Sequence, residues 1–108
     1  RAPMQVPVRL SHGPREYSVT THNFGERGMY IPTSEPLPRQ ARVGLQFNLP
    51  GLRTLFNCKG QVMHSRDRDT DEAPAGMGLK FLDVSPAIDA VFGIYMENFL
   101  AKKVPVAL

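Results

Sequence analysis

The chain has no tryptophan, a single cysteine and no long apolar run, and each absence removes a class of protein. Cys58 alone cannot close an internal disulfide, so nothing argues for an oxidising compartment. No apolar stretch approaches the roughly 18–20 residues needed to cross a bilayer, so membrane insertion is not expected. The opening residues carry no signal-peptide pattern, which makes cytoplasm the expected compartment. No acid/base pair, metal-ligand cluster or phosphate loop stands out, which argues against an enzyme and against a resident cofactor. Two near misses bear this out. Asp67, Asp69 and Asp71 alternate like calcium ligands, but that frame needs glycine at position six and glutamate at twelve, where Glu72 and Gly78 stand. A solvated hairpin loop is the expectation there. Cys58 and His64 share a strand parity but lie six residues apart, about 20 Å along an extended strand. They are no nucleophile–base pair, and Cys58 reads as a small core residue.

What is present fits one domain spanning 1–108. The 108 residues are enough for one hydrophobic core and too few for two. Six phenylalanines and three tyrosines, within 42% hydrophobic residues, supply that core. The chain opens on Arg1 rather than methionine, so a trimmed chain or a piece of a longer protein is expected. Charge is unevenly placed. Residues 1–63 hold eight basic and three acidic side chains, residues 64–108 five and seven. The excess is mostly arginine, whose planar fork suits phosphates and guanine edges. That points to a small anionic partner, or to nothing beyond solubility. A nucleic acid polymer is not expected, because no recognition helix or basic stripe accompanies the charge.

Short alternating runs dominate the pattern. Val6, Val8 and Leu10 form one, with Pro7 placing that strand at an edge or a sheet opening. Tyr17, Val19 and Thr21 form a second. Asn23-Phe24-Gly25-Glu26-Arg27-Gly28 then makes a polar hinge, because Asn and Gly tolerate tight corners, and Met29-Tyr30-Ile31 resumes the sheet. Val43, Leu45, Phe47 and Leu49 give the cleanest half-buried strand. Residues 54–64 read as another, bent or bulged at Gly60, and Met77, Leu79 and Phe81 as the last. Ser85-Pro86 opens a helix by N-cap and first-turn chemistry. Its apolar stripe is Ile88, Val91, Phe92, Tyr95 and Phe99, and Lys102 and Lys103 complement its dipole. Ile94, Met96 and Leu100 leave apolar surface for a partner or a second copy, a homodimer. The expected fold is mainly β: a six-stranded antiparallel β-barrel over about 5–83, closed to remove its edges, with a C-terminal α-helix over about 85–103.

These residues, taken in order, resemble the PilZ domain, the bacterial receptor module for cyclic di-GMP. The resemblance rests on the arm leading into Val6-Pro7-Val8, the corner Asn23 to Gly28 with Met29-Tyr30-Ile31, and the strand ending in Leu49-Pro50-Gly51. Gly60-Gln61-Val62, Gly76 to Leu82 and the Ser85-Pro86 helix start complete it. The family's ligand pattern is Arg-x-x-x-Arg followed downstream by Asp/Asn-x-Ser-x-x-Gly. The resemblance implies that the arginines grip guanine and phosphate while the corner holds the other side of the base. Arg1 stands at the first arginine, and Gln5 where the second belongs. Asn23 and Gly28 match the corner, and Gly25 replaces its serine.

The two departures are costly. A bidentate arginine–guanine contact is worth about 1–3 kcal/mol. A hydroxyl hydrogen bond missing from its slot costs on the order of 1 kcal/mol. Together they remove roughly 2–4 kcal/mol, on the order of 30- to 1000-fold in affinity. Arg9, Arg15 or Arg27 could return part of this against the ligand's two phosphates. Two functions follow. In one, cyclic di-GMP orders the Arg1–Gln5 arm over the barrel. In the other, the fold persists without the sensor and binds an unknown protein in a motility, pilus or surface-polysaccharide pathway.

Overall fold

Alternating apolar residues become the inner face of a curled sheet in the computed structural model, which describes residues 2–103 and their side chains as far as Ala101. The elements are β1 (Pro7–His12), β2 (Arg15–Thr20), β3 (Asn23–Phe24), β4 (Gly28–Pro32), β5 (Arg42–Asn48), β6 (Leu55–Arg66), β7 (Gly76–Leu82) and α1 (Pro86–Lys103). The strands pair antiparallel in one sheet, ordered β2-β1-β5-β6-β7-β4-β3. That order forces the curl. The terminal strands, β2 and β3, are separated in the chain by Thr21 and His22 alone, so the sheet's two ends lie within roughly 11 Å of each other. The His22 N–H donates to the Tyr30 carbonyl at 2.8 Å across the join.

Val8, Leu10, Val43, Leu45, Phe47, Phe56, Val62 and Leu79 are buried on the concave side, as the alternation predicts. Phe24, Phe47, Phe56, Phe81 and Phe92 pack ring on ring beneath α1, with centroids 5.1–6.1 Å apart. Aromatic pairs at this spacing add to their area burial. Phe92 thereby fixes the helix to the sheet, and the Tyr95 hydroxyl donates to the Pro50 carbonyl at 2.7 Å. Ser85 caps the helix as expected, its Oγ accepting from the Ile88 N–H at 3.3 Å.

The mainly β architecture with a terminal helix agrees with the sequence pattern; several details do not. There are seven strands, because Phe24 enters the aromatic core and draws Asn23-Phe24 out of the hinge into pairing with Tyr30 and Met29. β1 lies between β2 and β5 rather than at an edge. Pro7 is tolerated because pairing with β5 begins only at Val8. The irregularity in β6 falls between Val62 and His64 rather than at Gly60. Gly60 makes room for a neighbour, since a β-carbon there would sit 2.8 Å from Leu45 Cδ1 and force it to shift. On α1, Met96 is buried and Val91 is half out in solvent, the reverse of the expected stripe. Arg1, the Lys102 and Lys103 side chains and residues 104–108 lie outside the described residues.

Candidate functional site

The arm that precedes β1 alternates like a strand, with Ala2, Met4 and Val6 buried and Pro3 and Gln5 exposed. One buried hydroxyl holds it. Thr21, 1% exposed, accepts from the Val6 N–H at 2.8 Å and donates to the Met4 carbonyl at 2.7 Å. Backbone bonds frame this clasp: Thr21 N–H to Val6 carbonyl at 3.0 Å, and Ala2 with Phe24 in both directions at 2.9 and 3.0 Å. Between those two anchor points the arm carries one residue more than the strand it faces, which is a bulge. Gln5 lies in that extra length, so the arm and the corner meet with Gln5 exposed beside them.

The corner itself is tightly determined. Gly25 N–H donates to the Gly28 carbonyl at 2.9 Å, and the Arg27 carbonyl accepts from Phe81 N–H at 2.9 Å. Gly28 pairs with Lys80, and any β-carbon at 28 would collide with the Leu79 carbonyl. Gly28 is therefore required by the close approach of β4 to β7, whatever else it does. Glu26 and Arg27 form the exposed tip. They open onto a groove of about 490 Å³ that also holds Lys80, Asp83 and Asp89, a mixed set of charges with no single sign.

Asn23 is the chemically open group. Its Oδ1 is buried and accepts no hydrogen bond among the described residues. A buried acceptor without a donor costs about 1–3 kcal/mol. Registers place Asn23 in a row across the sheet with Tyr30, Gly78 and His64. The His64 ring covers Gly78, where a methyl group would collide with it. Tyr30 meets the His22 ring edge-on at 6.3 Å and donates its hydroxyl to the Pro74 carbonyl at 2.6 Å. Burial pushes the Tyr30 hydroxyl pKa up, against the Arg66 guanidinium and with the Asp69 carboxylate. The row sets a buried hydrogen-bond acceptor beside two edge-to-face rings and a glycine roofed by the His64 ring.

Of the residues singled out from sequence, the structure brings Gln5, Asn23, Gly25 and Gly28 into one neighbourhood; Arg1 lies outside the described residues. Thr21 reads from sequence only as a strand residue, because its partners lie 15 and 17 residues away and no local pattern marks them. Asp69 accepts from the Ala75 N–H at 2.8 Å, tying down the β6–β7 loop. No His/Cys/Asp/Glu group able to hold a metal occurs among the described residues, and no described helix is long and apolar enough to cross a membrane. Desolvation pushes the half-buried Cys58 thiol up to about 11, opposite to what a nucleophile needs. A family model described as "PilZ domain" matches residues 1–95, from the arm through the corner and into α1. No individual curated protein matches the chain.

Proposed function

The chain belongs to the PilZ domain family, a family of cyclic di-GMP-binding-type regulatory domains, and on that footing we propose that its own hold on the nucleotide is weak or lost and that it acts by binding another protein. What supports the reading is that Gln5 stands on the arm and Gly25 on the corner where the family pattern has an arginine and a serine. Gln5 has no charge to meet a phosphate, and Gly25 is buried without a side chain. Ala2 to Val6 are already held by the protein's own hydrogen bonds. Less order thus remains for a ligand to impose, which weakens an ordering switch as the output. A cytoplasmic role in motility or surface-polysaccharide control belongs to the same reading.

A specific observation favours the second reading, a functional receptor: the Asn23 Oδ1 acceptor has no donor among the described residues, and a guanine edge supplies N–H groups. Calorimetric titration with cyclic di-GMP separates the two. The expected dissociation constant is well above 1 μM, and the double variant Gln5→Arg/Gly25→Ser should tighten it by on the order of 30- to 1000-fold. A constant at or below about 1 μM for the natural chain would establish the receptor instead. If neither form binds, the cleft no longer recognises the nucleotide, and only the protein-binding half of the proposal stands.

A further inference from the structure

Apolar side chains run round α1 rather than along one stripe. Ile88, Phe92, Tyr95, Met96 and Phe99 pack toward the sheet. Elsewhere on the same helix Val91 and Ile94 are 39% and 60% exposed, and Ala87, Ala90 and Ala101 face solvent as well. A helix that is apolar all round has a second face that is also covered. The spacing says by what. Ala87, Val91, Ile94, Asn98 and Ala101 follow one another at intervals of four, three, four and three, the a/d rhythm of a two-stranded coil. Val91 and Asn98 occupy a; Ala87, Ile94 and Ala101 occupy d. A β-branched a residue favours pairs, and one asparagine at a specifies a parallel pair in one register by meeting its own copy.

We infer that this face is a parallel, two-fold contact with a second copy of the chain. Asn98 decides the occupant: against a foreign apolar helix its amide would be buried unpaired, whereas a two-fold axis places the same amide opposite it. At 100° per residue the seam lies about a third of a turn from the ridge that packs on the sheet. The seam is therefore not the face that the sheet covers. The 18-residue helix is about 27 Å long, so the seam buries much less than the roughly 800 Å² per partner of a standard interface. Pairing is reversible and concentration-dependent, and it requires no nucleotide.

Sedimentation equilibrium of the full chain without ligand tests this. The expected mass rises from 12.0 kDa toward twice that value between about 10 μM and 1 mM. Ile94→Glu should weaken pairing on the order of 100-fold or more while its circular dichroism and melting match the natural chain. Ala87→Cys in a Cys58→Ser background should cross-link to itself on oxidation, because d faces d in a parallel pair. A monomer throughout the range overturns the inference, as does undiminished pairing of the Ile94→Glu chain. Failure of the Ala87→Cys chain to cross-link in a preparation shown to be dimeric overturns the parallel arrangement.

Discussion

The corner at 23–28 has two sides, and they have fared differently. Its inner side is crowded: Phe24 is sealed among three other rings, Met29 is fully buried, and Gly28 leaves no room for a β-carbon. Its other side is chemically sparse: the buried Asn23 Oδ1 has no donor among the described residues, Gly25 has no hydroxyl, and Gln5 on the adjacent arm has no charge. Of the pattern positions, Gly28 is kept where the sheet leaves no room for a side chain, Asn23 is kept although its Oδ1 finds no donor among the described residues, and positions 5 and 25 depart. Gly28 matches both the ligand pattern and the packing, and packing alone accounts for it. A matched motif position is therefore evidence of binding only after its structural duty has been subtracted.

The strongest way to break this contrast is to attack the inner side. Phe24→Ala should cost about 3–5 kcal/mol, because it opens a cavity where the strand end, the sheet and α1 converge. Urea unfolding monitored by circular dichroism reads it directly. A loss below about 1 kcal/mol would mean that Phe24 does not hold the corner and that the two sides are alike.

Next comes the clasp that joins arm to corner. Thr21→Val keeps the shape but strands the Val6 N–H and the Met4 carbonyl, at a cost of about 1–3 kcal/mol. Amide exchange should locate the damage, with Val6 losing protection while Leu45 and Leu79 keep theirs. If every amide weakens equally, the arm is an integral part of the core rather than a strap on it.

How much of this could be read beforehand follows from the range of each interaction. The β5 strand and the Ser85 cap declare themselves within a few residues, through alternation and through a hydroxyl three positions from its donor. β3 does not, because two residues have no period and the asparagine and glycines around them speak for a turn. Gly60 looked like the break in β6, yet its role is to admit Leu45 from a neighbouring strand. The stripe on α1 was right in kind but rotated, so that Met96 and Val91 exchanged roles. Gln5, Asn23, Gly25 and Gly28 were legible as a motif; the missing donor at Asn23 and the clasp at Thr21 were not, since both depend on contacts across the fold.

A smaller effect checks that inner-face side chains serve packing. Cys58 sits on the Phe56–Val62 side of β6, and burial raises its thiol from an ordinary 9.0 to about 11. A raised folded-state pKa favours the neutral form. The stability it lends is whole below pH 9 and is lost as pH climbs toward 11. Tyr30 and Tyr95, also raised by burial, push the same way at still higher pH. Cys58→Ala should flatten the decline between pH 9 and 11 relative to the natural chain. An unchanged slope would show that the thiol is solvated.

The smallest expected change in stability is also the most telling, because its sign reverses within one residue of Phe24. Asn23→Leu keeps the γ-branched outline of the side chain and removes an acceptor that no described residue satisfies, so the folded state should gain up to about 1 kcal/mol or stay level. A residue retained for folding cannot behave this way; one retained for a donor from outside can. Loss of more than about 1 kcal/mol in Asn23→Leu would show that the amide is satisfied within the fold, by water or by a residue beyond those described. The sparse side of the corner would then be structural after all, and the asymmetry between its two sides would vanish.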